Sequence, residues 1–69
     1  MNRYILKFTR YIHGPGEERE QDFEEFIQAD QYHVNMGQHG PTDIRFFMND
    51  GRVVRHYFRV PSSLDVIPL

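Results

Sequence analysis

Four histidines are the residues in this chain best suited to chemistry: His13, His33, His39 and His56. Imidazole acts as a metal ligand or a proton carrier, and both roles need partners at set spacing. No histidine has another four residues away, no H-E-x-x-H is present, and the chain has no cysteine. The spacing therefore gives no metal site. Serine occurs only at Ser62 and Ser63, without the G-x-S-x-G turn that exposes a nucleophile. The carboxylates crowd together on one exposed segment, where nothing separates their pKa values into an acid and a base. Gly14-Pro15-Gly16 could cradle an anion at the start of a helix, but Glu17 and Glu18 directly after it would repel one. These patterns predict no catalytic residue, no metal and no cofactor, so the chain is not expected to be an enzyme.

Charge patterning says more. Eight basic and ten acidic residues give a net charge of −2, which by itself favours no class of partner. The average hides a split: from Glu17 to Asp30 there are seven acidic residues and only Arg19 to offset them. The remainder of the chain is net basic. One acidic element is set against a basic body.

Those groups must be positioned by a very small domain. At 69 residues the chain has room for one core. Apolar residues make up 39% and aromatics 14%, enough large side chains to build one. No apolar run approaches the ~18 residues a membrane span needs, and no signal-peptide h-region follows Arg3 and Lys7, so a cytoplasmic, membrane-free protein is expected.

Residues 3–12 alternate, with Tyr4, Leu6, Phe8 and Ile12 on one face, and predict a strand. His13-Gly14-Pro15-Gly16 breaks it. Phe23, Phe26 and Ile27 then follow i, i+3, i+4 in a Glu/Gln-rich segment, which predicts a helix over 16–30. Its acidic surface would be Glu17, Glu18, Glu20, Glu24 and Glu25. Tyr32, Val34 and Met36 predict a short strand, and 42–60 predicts a β-hairpin around Asn49-Asp50-Gly51. The order β-α-β-β-β gives an α+β domain over 1–60, with one helix on one face of a mainly antiparallel sheet. An apolar tail, 61–69, would pack on the sheet or on a partner. The expected core is Tyr4, Leu6, Phe8, Ile12, Phe23, Phe26, Ile27, Ile44, Phe46, Met48, Val54, Phe58 and Val60.

Face bookkeeping favours a three-residue hairpin loop with Gly51 in the left-handed region. It places Met48 opposite Arg52, Phe46 opposite Val54, Ile44 opposite His56, and Arg45 opposite Arg55. The sheet face away from the helix then carries Lys7, Tyr11, Arg45, Phe47, Arg55, Tyr57 and Arg59. Arginine and lysine interleaved with flat rings suit contact with a macromolecule. The expected function is thus non-enzymatic binding to a protein partner, as an inhibitor using its acidic helix or this basic-aromatic face. A single-stranded nucleic-acid module on the same face is the alternative, and homodimerisation through that face is a further expectation.

Overall fold

A computed structural model describes all residues, 1–69. Six strands follow one another: β1 (Asn2–Gly14), β2 (Glu17–Ala29), β3 (Gln31–Gly37), β4 (Gly40–Phe47), β5 (Val53–Tyr57) and β6 (Ser63–Pro68). They form two three-stranded antiparallel sheets, β2-β1-β6 and β3-β4-β5. There is no helix, so none is long and apolar enough to cross a membrane.

The α+β expectation is overturned at residues 16–30, which form an edge strand and not an acidic helix. Pro15-Gly16 is a two-residue hairpin turn: proline holds φ at its first central position and Gly16, at φ 78, takes the second. From that turn β1 and β2 pair without interruption, from Gly14↔Glu17 to Asn2↔Ala29. The shared inward face receives Tyr4↔Ile27 and Phe8↔Phe23, with Leu6 opposite Glu25 between them. Phe26 therefore points outward beside Ile5 and is 63% exposed. Helical spacing of Phe23, Phe26 and Ile27 was a coincidence of two faces. Pairing with a fully formed neighbour outweighs the helix propensity of Glu and Gln, which is only a few tenths of a kcal/mol per residue.

A single residue, Asp30, carries the chain from the first sheet to the second. Its carboxylate accepts the Asn49 amide at 2.9 Å and faces the Met1 amino group at 3.4 Å. Its carbonyl accepts from Asn2 at 3.3 Å and from the Tyr4 hydroxyl at 3.4 Å. The Asn49 amide does most to hold the Asp30 carboxyl below its ordinary pKa.

The second hairpin has the predicted loop and a different register. Gly51 donates to the Met48 carbonyl at 2.9 Å and Met48 to the Arg52 carbonyl at 2.8 Å, closing a three-residue loop. Gly51 lies at φ 92, as that loop requires. A β-bulge follows: Phe47 pairs with Val53, but Phe46 pairs with Arg55, Arg45 with His56 and Ile44 with Tyr57. The extra residue on β5 exchanges its faces. Phe46 opposite Val54, Ile44 opposite His56 and the clash of Arg45 with Arg55 are therefore all corrected. Tyr57 takes the inward place assigned to His56, and Val54 and Phe58 are exposed.

The tail neither crosses the sheet face nor hangs free. It is edge strand β6, running from Lys7↔Ser63 to Asn2↔Pro68. The Ser62 amide and hydroxyl both donate to the Lys7 carbonyl, at 2.7 and 2.9 Å, where the pairing begins. Leu64, opposite Leu6, packs on the core.

The core between the sheets is Tyr4, Leu6, Phe8, Ile27, Ala29, Ile44 and Phe46. Aromatic rings run through it from end to end: Tyr32 against Tyr4, Tyr4 against Phe46, Phe46 against Tyr57, Tyr57 against Phe8, and Phe8 against Phe23. Neighbouring centroids are 5.1 to 6.2 Å apart. Such pairs add about 0.5–1.5 kcal/mol each beyond their burial. Ile12, expected in the core, lies past its end. There the β1–β2 ribbon continues with both faces towards water, and the molecule measures 49 × 30 × 16 Å. That is why 17–22 shows no apolar alternation: neither face of the ribbon has anything to bury.

Candidate functional site

Where the ring row ends, three arginines converge on it. Arg59, just beyond β5, places its guanidinium 4.7 Å from the Phe8 centroid and 5.4 Å from that of Phe23. Arg10, on the same face of β1 as Phe8, lies 5.6 Å from the Phe23 centroid. Arg55 lies 5.1 Å from the ring of Tyr57, two residues along its own strand. Tyr57 in turn touches Phe8, with centroids 5.1 Å apart.

Each position follows from local sequence. Arg10 is two residues past Phe8, so strand alternation keeps it on the inward face just where burial stops. The amide of Gln21, its cross-strand partner, accepts its guanidinium at 3.3 Å. Arg55 and Tyr57 share that side because the bulge turned β5 over. Arg19, paired with Ile12, extends the same basic face outward along the ribbon.

The arginines of this shelf are not ion-paired. The close contacts between carboxylates and basic groups are Asp30 with the amino terminus and Asp43 with the His56 imidazole, and neither involves an arginine. No guanidinium has a carboxylate within 4.0 Å. An acidic group does share this face: after burial, the charge of Glu25 raises the Tyr57 hydroxyl pKa against the opposing effect of Arg55. Arginine stacked on a ring face keeps its in-plane N–H donors free, and these match a carboxylate or phosphate bidentately.

Of the expected partner-binding residues, the structure brings Arg55, Tyr57 and Arg59 together. Lys7 and Tyr11 lie on the outer face of the first sheet, and Arg45 and Phe47 on the outer face of the second. The two sheets pack inner face to inner face, so those pairs point in opposite directions. Arg10, Phe23 and Phe8 belong to the cluster and were missed as site residues. The assignment of 16–30 to a helix hid the hairpin that sets Arg10 beside Phe23.

The acidic residues also divide by alternation. Glu18, Glu20 and Glu24, with Asp22, form an outward row on β2, opposite His13, Tyr11, Lys7 and Thr9. Thr9 donates to Asp22 at 2.8 Å and Tyr11 to Glu18 at 3.4 Å. Glu17 and Glu25 are on the other face. Charge along a free sheet edge opposes pairing with another chain, which gives the outward row a structural use.

Asp43 organises the second sheet's outer face. It accepts from Thr42 at 2.5 Å, from His56 at 2.6 Å and from Asn35 at 2.7 Å. Thr42 contributes most, then His56 and Asn35, to lowering its pKa from 3.8 to about 2. Because an ionised carboxylate only accepts, His56 must be the donor through Nε2. The face carries His33, Arg45 and His56 in a row, and no group of side chains on the molecule has the makings of a metal site.

Comparison with protein-family models, curated proteins and solved structures gave no match.

Proposed function

We propose that the chain is a non-enzymatic binding domain that grips an acidic segment of another protein on the Arg10–Arg55–Arg59 shelf. One observation carries this reading: three guanidiniums share a continuous ring cluster and none is neutralised by a carboxylate. Hydrogen bonds from a guanidinium to a carboxylate are charge-assisted, short and about twice as strong as neutral ones. A carboxylate-rich strand or loop supplies acceptors that fit all three.

The same chemistry suits a nucleic-acid backbone, but the ring faces favour protein. A base needs an open aromatic face on which to stack. Here Phe8 is buried, and the face of Phe23 is taken by Arg10 and Arg59.

Fluorescence anisotropy with a labelled Asp/Glu-rich peptide tests the proposal, with a Lys-rich peptide and an oligothymidine as comparators. The acidic peptide should bind best, and the triple variant Arg10→Ala, Arg55→Ala, Arg59→Ala should bind it at least tenfold more weakly. Tighter binding of oligothymidine would replace the proposal with the nucleic-acid reading. Equal binding by the triple variant would remove the shelf as the site.

A further inference from the structure

We infer that the outer face of the β1–β2 ribbon is a self-complementary surface whose occupant is a second copy of this chain. This does not rest on the arginine shelf, which lies on the ribbon's opposite face. The observation is the order of residue pairs along the outer face: Arg3↔Gln28, Ile5↔Phe26, Lys7↔Glu24 and Thr9↔Asp22. A two-fold axis parallel to the strands and midway between β1 and β2 lays each β1 over the β2 of the other copy at the same height. Every residue then faces its own cross-strand partner from the second chain. Ile5 meets Phe26, and Phe26 meets Ile5, making one apolar cluster of four side chains. Directly beside it, Lys7 faces Glu24 twice, giving a square in which unlike charges are neighbours. That is the isologous matching a two-fold dimer requires.

Exposure points the same way. Phe26 is 63% exposed although it lies within β2, and Ile67, on the same outer face of β6, is 42% exposed. The chain exposes 5116 Å², against about 4,600 Å² for a compact monomer of its mass. A standard interface covers about 800 Å² on each partner. The part of the ribbon that stays in contact, from Arg3↔Gln28 to Thr9↔Asp22, is seven pairs or about 23 Å at 3.3 Å per residue, so this interface is smaller than that standard and depends on the matched residues at its centre. Facing sheets pack at about −30°, so the two ribbons diverge beyond Thr9 and their Glu18 and Glu20 carboxylates splay apart. Apolar contact and paired charge thus fall at the crossing, and the excess acid falls where the chains separate.

Sedimentation velocity at about 100 μM tests the inference, with circular dichroism to confirm that each variant keeps its strands. The wild-type chain should be a dimer, and Phe26→Ser should weaken dimerisation at least tenfold without loss of structure. Lys7→Glu and Glu24→Lys should each be monomeric alone, since each places like charges across the axis. Mixed in equal amounts they should form a heterodimer, because both facing cross-chain contacts are then between unlike charges. A wild-type monomer overturns the inference, as does a dimer indifferent to Phe26→Ser, which would mark pairing at a β5 or β6 edge. A mixture that stays monomeric overturns it too, and does so even if Phe26→Ser misfolds.

Discussion

The Arg59 guanidinium covers the face of Phe8, 4.7 Å from its centroid, where the buried core ends and the free ribbon begins. A contact of this kind at an exposed site is worth about 0.5–1 kcal/mol. It does not hold the fold together, but it pins a charge in place. Arg59→Ala should therefore lower the melting temperature by no more than about 2–8 °C while weakening the acidic peptide several-fold. Arg59→Lys should recover only part of the affinity, because an ammonium cannot make the paired in-plane bonds. Thermal melts and anisotropy on the two variants check both statements.

Gly51 supplies the left-handed position of the β4–β5 loop, at φ 92, with open space around its Cα. The cost of a side chain there is purely conformational. Gly51→Val should destabilise by about 1–2 kcal/mol in urea unfolding, whereas Asp50→Ala, which removes the carboxylate accepting the Arg52 amide at 2.9 Å, should cost less.

Much of this arrangement could be read from residue order, and its failures have local causes. Tyr4, Leu6, Phe8, Ile44 and Phe46 alternate cleanly and are all buried. Asn49-Asp50-Gly51 specifies its own loop. β2 was misread because Glu25 occupies an inward position and breaks the alternation of Phe23, Ile27 and Ala29. Beyond Phe23 both faces of the ribbon are wet, so no pattern exists to be seen. The bulge on β5 is a second hidden event: once the register slips by one residue, Tyr57 and His56 trade places. The shelf followed from both, since it needs Arg10 beside Phe23 and Tyr57 turned inward. Only Arg55, Tyr57 and Arg59 could be named beforehand, and for a different face.

The strand assignment of Glu17–Ala29 makes a prediction of its own. β2 is a sheet edge bonded only to β1, so alternate amides face water. Hydrogen exchange should show protection with a period of two along residues 23–29, fading towards the turn. A continuous block of protection would indicate a helix and contradict the fold.

Asp43 should make stability depend on acid. Its pKa is lowered from 3.8 to about 2 in the folded chain, so its contribution is fully present above about pH 4. Between about pH 4 and pH 2 the unfolded state binds the proton first, and stability falls as pH falls. Asp43→Asn should lose this step: unfolding followed from pH 5 to pH 2 should show a shallower decline than wild type. An identical decline would mean that other carboxylates dominate.

The most direct test of the central claim is an NMR titration of the wild-type chain with an Asp/Glu-rich peptide, following the arginine Nε–Hε signals. Saturable shifts are expected at Arg10, Arg55 and Arg59, with Arg45 on the outer face of the second sheet unmoved. Shifts concentrated at Arg45, or spread evenly over all the arginines, would contradict it.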